Sequence, residues 1–117
     1  MKKYFSLALI LMLISCEKDQ DQNITHVITS FNKQIVETIV PIKGKAYGAK
    51  FIIVKGYVDD TVFVSFGKKY YKNYLVGKID TTYTMDYYGD DNASFIFNPY
   101  KAKKGNLKVT FSILGSK

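Results

Sequence analysis

Apolar and polar positions alternate along most of this chain after residue 23. The clearest run is the last. Leu107, Val109, Phe111 and Ile113 alternate with Lys108, Thr110 and Ser112, the pattern of a strand with one buried face. Ala93, Phe95 and Phe97 fall on one face of a run over 93–97. Tyr83, Met85 and Tyr87 do the same in 81–88, and Val62, Val64 and Phe66 in 61–66. The run 50–58 carries Phe51, Ile52, Ile53 and Val54 in succession, which predicts a central strand buried on both faces. Weaker β-branched runs cover 24–31 and 34–40, the latter ended by Pro41, and a further strand is predicted over 70–79.

Turn residues punctuate these runs. Asn32-Lys33, Asp59-Asp60, Gly67-Lys68 and Gly89-Asp90-Asp91-Asn92 each predict a reversal, and Asn98-Pro99 opens a lysine-rich loop ending at Gly105. Seven or eight short strands with frequent turns and no helical period predict an all-β fold. The expected architecture is an antiparallel β-sandwich, immunoglobulin-like or jelly-roll-like, over 24–117. Uneven strand lengths favour the sandwich over a closed barrel.

The first 23 residues follow a different pattern. Lys2 and Lys3 precede a ten-residue run, Phe5 to Ile14, broken only by Ser6. That is the length of a signal-peptide core and too short to span a bilayer, which needs about 20 residues. The run ends in Leu13-Ile14-Ser15-Cys16. This resembles the lipobox of bacterial lipoproteins. The resemblance implies diacylglycerol on the Cys16 thiol, cleavage between Ser15 and Cys16, and acylation of the new amine. Each buried CH₂ contributes roughly 0.8 kcal/mol, so two or three acyl chains make a stable anchor. The expected division is a signal peptide over 1–15, a lipidated cysteine with its tether over 16–23, and the β domain beyond. The tether, Glu17-Lys18-Asp19-Gln20-Asp21-Gln22-Asn23, has no apolar residue. It is similar to the export signals of surface lipoproteins in the Bacteroidota. Asp60-Thr61-Val62 and Asp80-Thr81-Thr82 resemble O-glycan acceptors of the same group.

Composition narrows the chemistry. Cys16 is the only cysteine, and lipid on it leaves no thiol and no disulfide. His26, the single histidine, excludes a multi-histidine zinc site and is expected at the surface or on an edge strand. There is no glycine-rich phosphate loop. No catalytic residue and no cofactor are expected. All 17 basic residues are lysine; fifteen follow the leader, against ten Asp and Glu. A basic domain without arginine suits anionic surfaces better than base-specific nucleic acid recognition, and no nucleic acid partner is expected.

One patch combines charge and rings: Lys68-Lys69-Tyr70-Tyr71-Lys72-Asn73-Tyr74. On a strand, Tyr70, Lys72 and Tyr74 would share a face. Rings beside cations suit sugars carrying acidic groups, so Lys68, Lys69, Tyr70, Lys72 and Tyr74 are the candidate ligand-binding residues. Tyr100, Lys101, Lys103, Lys104 and Lys108 form a second basic cluster. Asp86, Asp90 and Asp91 are candidate calcium ligands, although Asp and Asn also suit turns. The expected function is non-enzymatic: a lipoprotein lipid-anchored at the bacterial outer membrane, surface-exposed, binding a glycan or a protein. The alternative is a periplasmic inhibitor or immunity lipoprotein blocking a toxin, lysozyme or phage component.

Overall fold

The computed structural model describes residues 22–115. Ser15, Cys16 and the leader lie outside the described residues, as does the tether as far as Asp21. The described chain is all-β and antiparallel, as expected, and contains no helix. No helix among the described residues is long and apolar enough to cross a membrane.

Six strands form one sheet: β1 (Gln22–Ile28), β2 (Ile35–Ile39), β3 (Tyr47–Ser65), β4 (Asn73–Asp86), β5 (Ala93–Asn98) and β6 (Gly105–Gly115). The path runs β1-β6-β3-β5-β2, with β4 on the other edge of β3. The first half of β3 pairs with β6, Ile52 opposite Phe111. Its second half pairs with β5, Val64 opposite Phe97. β4 follows both halves. The sheet therefore folds over on itself at the middle of β3. Phe95 of β5 and Phe111 of β6, which are not paired, stack at 5.0 Å across the interior.

The core is built by the alternation in the sequence. Leu107, Val109, Phe111 and Ile113 are completely buried, as are Phe95, Phe97, Ile52, Val54, Val62 and Val64. The run 50–58 is central, between β4 and β6, but only one face is covered: Phe51 and Ile53 are half-buried.

Six strands replace the expected seven or eight because two expected strand breaks are absent. Asp59-Asp60 does not reverse the chain. β3 continues through an irregularity between Val58 and Val62, where the register against β4 shifts. The Asp59 carboxylate there accepts the backbone N–H groups of Lys103 and Lys104, at 2.9 and 3.1 Å. An acid that reads as a turn residue instead holds a loop from the opposite end of the chain. Ile79 and Thr81 likewise belong to one unbroken β4, with Asp80 opposite Lys55. Next to this corner β3 and β6 approach closely. A Cβ on Gly56 would lie 2.0 Å from the Asn106 carbonyl oxygen, and one on Gly105 would lie 2.2 Å from that of Tyr57. Both residues have positive φ, which glycine alone adopts readily.

Two residues expected in the tether belong to the fold. Gln22 and Asn23 are paired with Ile113 and Ser112 in β1. The Gln22 amide donates to the Val40 carbonyl at 2.9 Å and accepts from the Tyr47 hydroxyl at 2.5 Å, so its side chain is fixed to the fold. β1 and β2 are the two free ends of the sheet path, and their inner faces meet at a seam. Ile24, His26 and Ile28 face inward on β1, and Ile35, Glu37 and Ile39 on β2. His26 Nε2 lies 2.7 Å from Glu37 Oε2 across that seam. His26 is on an edge strand, as expected, but half-buried and paired.

Candidate functional site

The segment between β3 and β4 is a tight connection, not the start of a strand. Tyr70 N–H donates to the Gly67 carbonyl at 3.2 Å. The Ser65 hydroxyl donates to the same carbonyl at 2.6 Å, and Gly67 takes a positive φ. The expected strand 70–79 therefore begins only at Asn73, and Tyr70, Lys72 and Tyr74 do not alternate on a common face. The turn gathers them by another route.

Two concavities flank this connection. One, of about 360 Å³, is lined by Phe63, Ser65, Lys68, Tyr70, Lys72 and Ile96, with Gln34 and Asn98 at its polar side. The Asn98 amide donates to Gln34 Oε1 at 2.8 Å, which ties β5 to the entry of β2. The other, of about 380 Å³, is lined by Lys50, Phe66, Lys68, Lys69, Tyr70 and Asp91, with Val36, Asn92, Ser94 and Ile96. Both volumes fall at the small end of the range for small-molecule sites, about 300–1,000 Å³. Four of the five candidate ligand-binding residues, Lys68, Lys69, Tyr70 and Lys72, line one or both concavities.

Tyr74, the fifth, stands beside them in a three-ring cluster. Its ring lies 5.6 Å from Phe63 and 5.6 Å from Tyr100, and Phe63 and Tyr100 are 5.9 Å apart. Phe63 is buried beneath, while Tyr74 and Tyr100 are about half exposed. Lys72 Nζ sits 5.1 Å from the Phe63 ring and Lys101 Nζ 5.5 Å from the Tyr100 ring. Such cation–ring contacts contribute about 0.5–1 kcal/mol at exposed sites. Tyr100 has φ of 51°, in the left-handed region that an aromatic residue seldom occupies. The 99–104 loop that imposes this conformation is held by Lys101 N–H to the Thr61 carbonyl at 2.9 Å and by the Asp59 contacts. The second basic cluster therefore divides. Tyr100 and Lys101 join the ring cluster, whereas Lys108 lies on β6 opposite Lys55.

Sequence reasoning missed Lys50. It shares the inward phase of Ile52 and Val54 and is only 6% exposed. Its Nζ lies 5.1, 5.4 and 5.5 Å from the ring centroids of Tyr70, Phe66 and Tyr87. Burial holds the ammonium pKa below its ordinary value, and the Asp91 charge opposes that shift. The signal was present: extending the 52–54 alternation by one step puts a lysine on the buried face.

Asp86 ends β4, and Asp90 and Asp91 lie in the turn after it. Among the described residues no cluster of three or more His, Cys, Asp or Glu side chains could hold a metal ion, so these three acids do not converge as calcium ligands would. Asp91 instead serves the second concavity, and its backbone carbonyl accepts the Tyr87 hydroxyl. Burial first, then the charges of Asp91, Tyr47 and Asp90, raise the Tyr87 pKa above its ordinary value.

No protein-family model matches this chain, and no curated protein does. Among solved structures, it is similar to the Drosophila NLP core, with 12% identity, TM-score 0.45, and 83% of this chain and 99% of that one covered. A structure of Bacillus endospore appendages gives 12% identity, TM-score 0.44 and coverage of 82% and 88%. The Yersinia pseudotuberculosis-derived mitogen gives 9%, 0.44, and 85% and 89%. Likenesses this weak assign neither a fold family nor a function.

Proposed function

We propose that this protein is a non-catalytic binding module, anchored by lipid on Cys16 at the bacterial outer membrane, whose β domain takes an acidic glycan at the cell surface. One observation carries the reading. Lys68, Lys69 and Lys72 converge with Tyr70 around two adjoining concavities, beside the exposed Tyr74–Tyr100 rings. Tyrosine offers a flat apolar face at low entropic cost, which suits the C–H face of a sugar ring, and the lysines suit its acidic substituents. Anchoring at the surface is supported by Leu13-Ile14-Ser15-Cys16 and by the acidic stretch that follows.

The test is retention on an immobilised uronate-rich polysaccharide. Wild-type protein is expected to be retained and to elute earlier as salt is raised, because exposed charges are screened. Lys68→Ser, Lys69→Ser and Lys72→Ser combined should abolish retention. Equal retention of the triple variant would overturn the reading.

A further inference from the structure

We infer that Lys50 is a buried anchor for a single carboxylate, so that the cleft takes an end or branch sugar bearing one acidic group. This rests on the glycan-binding reading and names which ligand group enters the second concavity.

Lys50 is an unusual occupant of a core phase. An ammonium taken out of water is costly unless it is paired and hydrogen-bonded. The Lys50 ammonium carries three N–H donors. Asp91 acts on it through its charge, yet among the described residues the Lys50 ammonium forms no hydrogen bond and no ion pair, unlike His26 with Glu37. Its neighbours are three ring faces. These stabilise a positive charge but accept no conventional hydrogen bond. The side chain nevertheless lines a concavity of about 380 Å³. An anion entering there would find a cation already largely shielded from water by the fold. Their attraction would act in a medium far less polarisable than water.

The surroundings decide which anion fits. Only one cation lies at the floor; Lys68 and Lys69 are exposed on the rim. Asp91 also lines the cleft and repels a group of high charge. A carboxylate with one charge matches the single ammonium at the floor, and Asp91 opposes a monoanion less than a phosphate dianion. Asn92 and Ser94 add neutral polar groups suited to hydroxyls, and Val36 and Ile96 supply an apolar wall. That set of neighbours describes a sugar acid: one carboxylate, several hydroxyls and an apolar ring face.

The experiment titrates full-length protein with D-glucuronate and with its uncharged methyl ester, following the Lys50 Nζ resonance and the ring resonances of Tyr70. Glucuronate should shift both, and the ester should bind about ten- to hundredfold more weakly, the factor expected for a hydrogen bond to a charged group. Lys50→Met should lose glucuronate binding while keeping its fold. Equal binding of acid and ester by the wild type would overturn the inference, as would undiminished binding by Lys50→Met or no binding of glucuronate at all. Polysaccharide retention is scored separately. If it needs Lys68, Lys69 and Lys72 but is indifferent to Lys50, the anchor is wrong and the glycan reading stands. If the wild type is not retained at all, the glycan reading itself has failed.

Discussion

Two basic side chains occupy inward positions of strands, and they are treated in opposite ways. At the seam, His26 of β1 meets Glu37 of β2 at 2.7 Å, and the pair joins the two free ends of the sheet. In the cleft, Lys50 of β3 is packed among three rings, and Asp91 acts on it only through its charge. The seam imidazole has its carboxylate partner within the chain, so its work is structural. The cleft cation forms no ion pair with the carboxylate near it, Asp91, and faces an opening. A partner supplied by the fold closes a structure; a partner left out leaves a site. Substitutions at the two places should therefore move stability in opposite directions.

The larger effect is expected at the seam. Both side chains are about 30% exposed, between the surface and buried limits for ion pairs. His26→Leu leaves Glu37 facing the interior without its partner, and Glu37→Leu does the same to His26. Each should cost about 1–2 kcal/mol, measured by urea unfolding. The double Leu variant should cost less than the sum of the singles, because neither polar group is then left without its partner. Strict additivity would show that the two groups do not act as a pair.

Lys50 should behave in the reverse sense. Lys50→Met removes a desolvated charge and retains the volume, so it should stabilise the fold by about 1 kcal/mol. Its pH signature is specific. Because burial lowers the Lys50 pKa, the unfolded chain holds a proton that the folded chain has released, between the lowered value and about 10.4. Wild-type stability should rise with pH across that window. The groups facing Lys50 are Asp91, Tyr70, Tyr87 and the rim lysines 68 and 69. Burial raises the pKa of Tyr83 and Tyr87, so stability should fall again above about pH 10, where unfolded tyrosines ionise first. Lys50→Met should lose the rise and keep the fall, read from urea midpoints between pH 7 and 11. A variant that kept the rise would place its origin elsewhere.

What was legible in the sequence follows from how local its cause is. The faces Leu107–Ile113 and Ala93–Phe97 were readable because alternation alone determines which side chains face the core. The lysine–tyrosine patch was readable from composition, yet its geometry was not. Gly67 and Ser65 bend 66–72 into a connection, and the turn, rather than strand alternation, brings Lys68, Tyr70 and Lys72 to the concavities. The other walls, Asn92, Ser94, Ile96 and Asn98, arrive from β5 and the turn before it through its pairing with β3. Lys50 stood in plain phase with Ile52 but was outweighed by the apolar run after it. The length of β3 and β4 was the least legible feature, because an Asp-Asp pair favours turns and its partners here are 44 and 45 residues away.

Asp59 is partnered within the chain like His26 but lies at the surface, and the smallest effect is expected there. Its carboxylate accepts from Lys103 and Lys104, and its own N–H donates to the Lys104 carbonyl at 2.9 Å. The Lys103 and then the Lys104 amide hold its pKa below the ordinary carboxylate value, with burial opposing. Asp59→Ala should leave global unfolding nearly unchanged. Protection of the Lys103 and Lys104 amides against hydrogen exchange should fall about tenfold, the scale of one ordinary hydrogen bond. Asp59→Asn keeps an acceptor oxygen without the charge and should fall between the two. In the wild type the contribution is complete above the ordinary carboxylate pKa and is lost as pH falls through the lowered one. Protection unchanged in Asp59→Ala would mean that the Lys101 N–H bond to Thr61 and the Asp59 N–H bond to Lys104 hold the loop by themselves. The left-handed Tyr100 and its place beside Tyr74 would then owe nothing to the Asp59 carboxylate.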